Sequence, residues 1–139
     1  MAALDVVLAL ARADAAARRR LEGALAGVHG LGLNDFVVLT SLRRAPGRRL
    51  RRIDLAETVG VTASAVTRLL VPLEQVGLVE READPKDARA AFARLTDAGA
   101  ERVAQAEETA GEAAARVLTA RLTASEQATL ARLLAKLTD

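Results

Sequence analysis

The sequence predicts a mainly α fold with one small β-hairpin, built as a single domain. Three observations predict it: apolar residues recur at helical spacing near both ends, two short helical segments surround a turn, and a charged turn separates two extended segments. The chain has 139 residues, enough for one domain with a real core. Much of its hydrophobic content is alanine, and Phe36 and Phe92 are the only aromatic residues. Closely packed helices are therefore favoured over a sandwich rich in aromatic rings.

The first half of the chain is expected to be helical. Its N-terminal segment has apolar residues at helical spacing, with three consecutive arginines, 18 to 20, on its flank. Asn34 is the expected N-cap of the second helix, which "APGRR" terminates. The predicted helices cover residues 1–28, 35–44, 53–59 and 62–76.

A hairpin is expected next. "GLVERE" and "AAFARL" are the predicted strands, and "ADPKDARA" is the turn between them, with Asp84 and Pro85 as turn formers. Thr96 then caps a long helix that we expect to continue to Leu122.

A last amphipathic helix closes the chain. Thr123 is followed three residues later by Glu126, which is the spacing of a capping box. The first and last helices can pack together and leave a surface for a second copy of the chain. The alternative is that they only close the core of a monomer. The apolar stripe of the last helix consists of Leu130, Leu133, Leu134 and Leu137.

The net charge of +2 is unevenly distributed. Residues 33–96 carry 11 basic and 8 acidic groups, whereas residues 97–139 carry 5 and 7. The run "RRAPGRRLRR" places six arginines and no acid in ten residues, 43–52. Six like charges repel one another unless an anion neutralises them, and a phosphate backbone is a natural partner. One or two of these arginines are expected to contact it, with Arg49 and Arg52 as candidates; the alternative is a merely solubilising run.

Several classes of function are excluded or disfavoured. The absence of cysteine excludes disulfides, thiolate metal sites and thiol redox sensing. With one histidine, no nucleophile–base arrangement and no metal-ligand spacing are found, so we expect neither an enzyme nor a cofactor. No signal peptide or spanning helix is recognised, and a cytoplasmic protein without a membrane partner is expected.

The stretch "IDLAETVGVTASAVTRLLVPL" has the pattern of a helix-turn-helix. Two helices that cross steeply need a small residue where they touch, a residue tolerant of positive φ in the turn, and an apolar anchor from the second helix. Ala56, Gly60 and Val66 fill these positions. The second helix would be capped by Thr62. Its predicted buried residues are Ala65, Val66, Leu69 and Leu73, which leaves Ala63, Ser64, Thr67 and Arg68 exposed.

This exposed face suits the major groove of DNA. Small residues allow close approach, and an arginine can pair with guanine or with a phosphate. An ordinary solvated helix face is the alternative, but such a face usually carries more Glu and Lys. The segment is therefore a candidate for double-stranded DNA binding.

A combination of motifs in the second half of the DNA-binding segment and after it resembles a known family. "LVPLEQVGLVER", followed by "DPKDARA" and by "LTDAG", is similar to the MarR family of winged helix-turn-helix transcription regulators, closely so over about residues 33–100. The resemblance implies a homodimer on a pseudo-palindromic operator, with residues 1–32 and 97–139 forming the helical dimerisation region. Residues 33–96 would form the winged helix-turn-helix DNA-binding lobe.

The resemblance also implies contacts at the hairpin, which corresponds to the wing. Arg89 would enter the minor groove, where a narrow groove concentrates negative potential. Asp87 would orient Arg89, and Lys86 is a candidate phosphate contact. The chain departs from the family pattern at Ala88, where relatives often carry another basic residue.

Relatives are commonly repressors that release DNA when a small aromatic or acidic ligand fills a crevice near the dimer helices. His29 and Phe36 are the candidate pocket residues here, with Arg19 as a carboxylate partner. The competing interpretation is a winged-helix protein-interaction module without specific DNA binding, which would use the acidic C-terminal third.

Overall fold

The part of the chain that the structure describes contains six α-helices and a three-stranded antiparallel sheet. The computed structural model describes residues 2–138, apart from the side chains of residues 88 and 89. The helices are α1 (Ala3–His29), α2 (Leu33–Arg44), α3 (Arg52–Val59), α4 (Ala63–Gln75), α5 (Asp97–Leu118) and α6 (Ala124–Ala135). The strands are β1 (Arg49–Arg51), β2 (Val79–Asp84) and β3 (Asp87–Leu95).

Side-chain caps fix the start of three helices. The hydroxyl oxygens of Thr62, Thr96 and Thr123 each accept a hydrogen bond from the backbone N–H three residues later. Each cap satisfies one N–H that the first turn of a helix leaves without a partner. The predicted caps at these positions are confirmed.

The sheet is larger than predicted, and its turn is shorter. Its strand order is β1-β3-β2, and β1, which the sequence did not suggest, pairs with β3 through Leu50 opposite Ala93. The turn between β2 and β3 is only Pro85–Lys86, since most of "ADPKDARA" extends the strands. The register shifts between Ala83 and Asp84, near the tip of the hairpin.

Two predicted helix boundaries were wrong. The second helix begins at Leu33 with Gly32 as its N-cap, because the Asp35 carboxylate accepts the Gly32 N–H at 3.3 Å. Asn34 lies inside the helix, and its side-chain oxygen accepts from Arg18 instead. The fifth helix ends at Leu118 and not at Leu122.

The core lies between the helix-turn-helix, the sheet and the middle of α5. Among its fully buried side chains are Leu39, Leu55, Leu70 and Val103. On α4 the buried residues are Val66, Leu70 and Leu73, so Val66 and Leu73 are buried as predicted. The predicted Leu69 and Ala65 are only half-buried. In contrast, α1 buries only Leu25, and α6 buries none of its described residues.

Over residues 2–138, no single helix is long and apolar enough to cross a membrane. The first two helices meet that test of length and composition only as a pair bent by 84°.

Candidate nucleic-acid interface

Ala56, Gly60 and Val66 occupy the positions in the helix-turn-helix that the sequence pattern predicts for them. Ala56 is buried where α3 meets its partner helix, and Val66 is fully buried on α4. Gly60 has φ of 78°, and its N–H donates to the Ala56 carbonyl at 2.9 Å. A left-handed residue that closes a helix in this way favours glycine. The predicted helix-turn-helix is confirmed.

The N-terminal half of α4 presents small and polar side chains to solvent. Ala63, Ser64, Thr67 and Arg68 are all exposed, as predicted. The first acidic residue along α4 is Glu74, near its C-terminal end. The free N–H groups and the dipole of the helix add positive potential at the capped end. This face can therefore approach a polyanion without a repelling carboxylate.

Arg52 ties the start of α3 to α4. Its Nη1 donates to the Thr67 hydroxyl at 3.1 Å, and its Nη2 lies 3.7 Å from a carboxylate oxygen of Glu74. Its Nε is buried and has no hydrogen-bond partner among the described residues. Arg52 therefore supports the position of Thr67 from within the protein.

The arginine run is largely neutralised within the chain. Five of its six members face a carboxylate, and the paired acids lie 22 to 64 residues away in the sequence. Arg44 is the exception within the described part, and it lines a small groove with Thr40 and Ser41. The pairs are Arg43–Glu107, Arg48–Asp97, Arg49–Glu82, Arg51–Asp84 and Arg52–Glu74.

The tip of the wing is organised by Asp84. One of its carboxylate oxygens accepts the Lys86 N–H at 2.9 Å, which confirms Asp84 as a turn former. Lys86 and Asp87 are exposed at this tip. The backbone of Arg89 belongs to β3, but its predicted insertion concerns a side chain that lies outside the described residues.

The chain is similar in sequence to a known family of proteins. A model of the MarR family matches residues 31–91. The HTH-type transcriptional repressor Rv2887 of Mycobacterium tuberculosis is 39% identical over 128 residues, which cover 92% of this chain and 89% of the repressor. The chain belongs to the MarR family.

Solved structures of MarR family proteins share this fold. Sco3205 from Streptomyces coelicolor, a MarR family transcriptional regulator in complex with DNA, superimposes with a TM-score of 0.84 at 29% identity, covering 95% of this chain and 82% of that one. The complex of Mycobacterium tuberculosis Rv2887 with salicylic acid gives a TM-score of 0.72 at 39% identity and covers 92% of each chain. The predicted winged helix-turn-helix fold is thus confirmed.

Of the candidate ligand residues of this MarR family chain, Arg19 lies apart from His29. His29 Nε2 is 2.7 Å from the Thr109 hydroxyl, so this side chain joins α1 to α5. Phe36 packs against the core. Arg19 is ten residues from His29 along α1, about 15 Å at the helical rise. It lines a separate groove of about 410 Å³ with Arg20 and Arg116.

Proposed function

We propose that the chain is a dimeric transcription repressor that binds a pseudo-palindromic DNA operator in the cytoplasm. The observation that carries the proposal is the exposed N-terminal half of α4, which has no acidic residue before Glu74. It lies beside the wing, because Ala63 lines a groove together with Ala90 and Ala91 of β3. A helix with small polar residues fits the major groove, and the wing then lies next to the backbone. Family membership supports regulation, and we assign the chain no catalytic role.

Each predicted DNA contact has a proposed part in this arrangement. Thr62, Ala63 and Ser64 at the capped end of α4 suit a phosphate, because free N–H groups point outward there. Thr67 and Arg68 are assigned to the major groove. The wing residues Lys86, Asp87 and Arg89 are assigned to the neighbouring backbone and minor groove.

Arg49 and Arg52 take a supporting role in the proposal. Each faces a carboxylate of the protein, Glu82 and Glu74 respectively. A phosphate contact would require the arginine to leave that carboxylate, which offsets much of the gain.

We further propose that residues 1–32 and 97–139 form the dimer. Support comes from the apolar side chains that α1 and α6 expose along a common groove of about 510 Å³. Two DNA-binding lobes related by a twofold axis would then match two half-sites.

A small acidic ligand is proposed to release the DNA. The salicylic acid complex of Rv2887 supports this ligand class. In this chain, the groove lined by Arg19, Arg20 and Arg116 offers three guanidinium groups, and no acid lines it. Since guanidinium binds carboxylate bidentately, this groove is our preferred site over the neighbourhood of His29 and Phe36.

Gel retardation with the DNA upstream of the chain's own gene tests the function. We expect a specific complex whose affinity falls linearly with log salt concentration, with a slope that corresponds to several phosphates. Adding salicylate as the probe should dissociate it. Random duplex bound as tightly as the upstream DNA would refute specificity. No retardation at moderate salt would favour the protein-interaction module.

A further inference from the structure

The outer face of the wing sheet is a ladder of paired charges around one aromatic ring. In the strand register, Arg51 lies opposite Phe92, and Phe92 lies opposite Glu82. Arg49 lies opposite Arg94, which in turn lies opposite Glu80. Residues directly opposite each other share a face of the sheet, so these six side chains form one continuous surface.

Two arginines of β1 reach across the central strand to acids of β2. The Arg51 guanidinium lies 5.5 Å from the centre of the Phe92 ring, and its Nη2 donates to Asp84 Oδ2 at 2.7 Å. The Arg49 guanidinium lies 4.6 Å from the same ring and donates to Glu82. These contacts fasten β1 to β2 without any backbone pairing between the two strands.

The contact between Arg51 and Asp84 differs from the other ion pairs on this face because the Asp84 carboxylate is buried. Its side chain is only 4% exposed, whereas Glu80 and Glu82 are 52% and 34% exposed. Asp84 Oδ1 accepts the Lys86 N–H, so one buried carboxylate connects β1 to the wing turn. A buried carboxylate that loses its cation is left uncompensated, which costs far more than losing an exposed pair.

The backbone ladder alone holds the tip weakly. The register shift between Ala83 and Asp84 interrupts regular pairing just before the turn. Such a shift disrupts the ladder of backbone hydrogen bonds locally. The direction of the tip therefore depends on side chains, and Asp84 is the most buried of the charged groups on this face.

We propose that Arg51 is a positioning residue of the wing, which sets the direction of the hairpin tip through Asp84. Arg51 acts inside the protein and not as a phosphate contact. The effect on DNA rests on the proposed function, but the effect on the wing does not.

Amide hydrogen exchange tests the wing by itself. Arg51→Gln and Asp84→Asn should each speed exchange across residues 82–88, while exchange in α4 stays close to wild type. The matched control Glu80→Gln breaks the exposed Arg94–Glu80 pair on the same face and should leave exchange at the tip unchanged. Tip exchange in Arg51→Gln equal to wild type would overturn the proposal.

Operator affinity also tests the proposal, because simple electrostatics and the proposal predict changes of opposite sign for Asp84→Asn. Asp84→Asn removes a negative charge near DNA, so simple electrostatics predicts tighter binding. If Arg51 positions the wing, Asp84→Asn instead weakens binding by roughly tenfold. Asn can still accept the Lys86 N–H, so the turn itself is kept. The Glu80→Gln control should bind as wild type or slightly tighter.

The double variant Arg51→Gln/Asp84→Asn tests whether Arg51 and Asp84 affect operator affinity through one common contact or independently. Affinity no weaker than that of either single variant supports one coupled contact. Additive losses would show that Arg51 contacts DNA separately and would overturn the proposal. A wild-type protein that binds no duplex would refute the proposed function, while the exchange data would still decide whether Arg51 holds the wing.

Discussion

At the scale of single residues, Gly99 shows how closely α5 approaches the wing. A Cβ at this position would lie 2.1 Å from the Leu78 carbonyl oxygen and 2.6 Å from Leu95 Cδ1. The Gly99 N–H also donates to the Thr96 hydroxyl, which caps the helix. The first turn of α5 therefore rests directly on the backbone that enters β2.

Substituting Gly99 tests its close contact with the Leu78 carbonyl, and Gly111 of the same helix provides the control. Gly99→Ala should lower the free energy of unfolding by roughly 2–3 kcal/mol, because a backbone carbonyl cannot move aside as a flexible side chain can. Gly111→Ala meets nothing within 4 Å and should raise it by about 0.5–1 kcal/mol. Urea denaturation measures both. A Gly99→Ala protein as stable as wild type would contradict the close packing.

Asp35 makes stability depend on pH in a defined direction. Burial raises the pKa of this carboxyl, the Gly32 N–H bond lowers it, and the nearby Glu22 raises it, with a net rise. The folded state thus binds the proton more tightly than the unfolded chain, so the stabilisation is present at low pH. This stabilisation is lost as the pH rises from the usual pKa of an aspartate through the raised pKa of Asp35.

Comparing Asp35→Asn with wild type checks this sign. The stability of wild type relative to Asp35→Asn should be greatest in acid and should fall as pH rises through that window. Thermal unfolding across the acidic range provides the measurement, and Asp5→Asn, in the exposed first turn of α1, is the control. A difference that instead grows with pH would contradict a raised pKa.

At the scale of elements, α4 and the wing are proposed to act on DNA as separate contacts. Arg68→Ala and Arg89→Ala should each weaken operator binding by roughly 1–3 kcal/mol without loss of fold. Arg121→Ala serves as the control, because this exposed arginine donates to the Val117 carbonyl at the end of α5. Fluorescence anisotropy measures the affinities. An unchanged dissociation constant for Arg68→Ala would remove that side chain from the interface.

Elements defined by local interactions could be predicted from the sequence. Thr62, Thr96 and Thr123 bond only three residues onward, so the spacing of a cap contains the whole interaction. The positive φ of Gly60 is likewise a local requirement of the turn. These local rules explain why the helix-turn-helix could be placed residue by residue.

Elements that depend on partners distant in the sequence could not be predicted in this way. The three residues of β1 become a strand only because Phe92 and its neighbours lie beside them. The arginine run looked unpaired because Glu107 and Asp84 are 64 and 33 residues away from their partners. The sequence therefore could not show that five of the six arginines face a carboxylate of the protein.

At the scale of the whole molecule, the two ends of the chain differ from its centre. The central lobe buries most of its large apolar residues, whereas α1 exposes Leu4, Val7 and others, and α6 exposes Leu133 and Leu134. Large contiguous apolar patches on soluble proteins mark interaction surfaces. A second copy of the chain would cover this surface with matching residues, as a twofold interface requires.

Charging this surface should separate the subunits and thereby weaken operator binding. Leu134 lines the groove between α1 and α6, and Leu134→Asp would bury an unpaired carboxylate in the proposed interface. Sedimentation should then change from twice 14.6 kDa to a single chain. Affinity should fall as well, because each lobe would bind its half-site alone. Ser125→Asp adds the same charge on α6, away from the leucines, and should remain dimeric. A wild-type protein that sediments as one chain would refute the dimer.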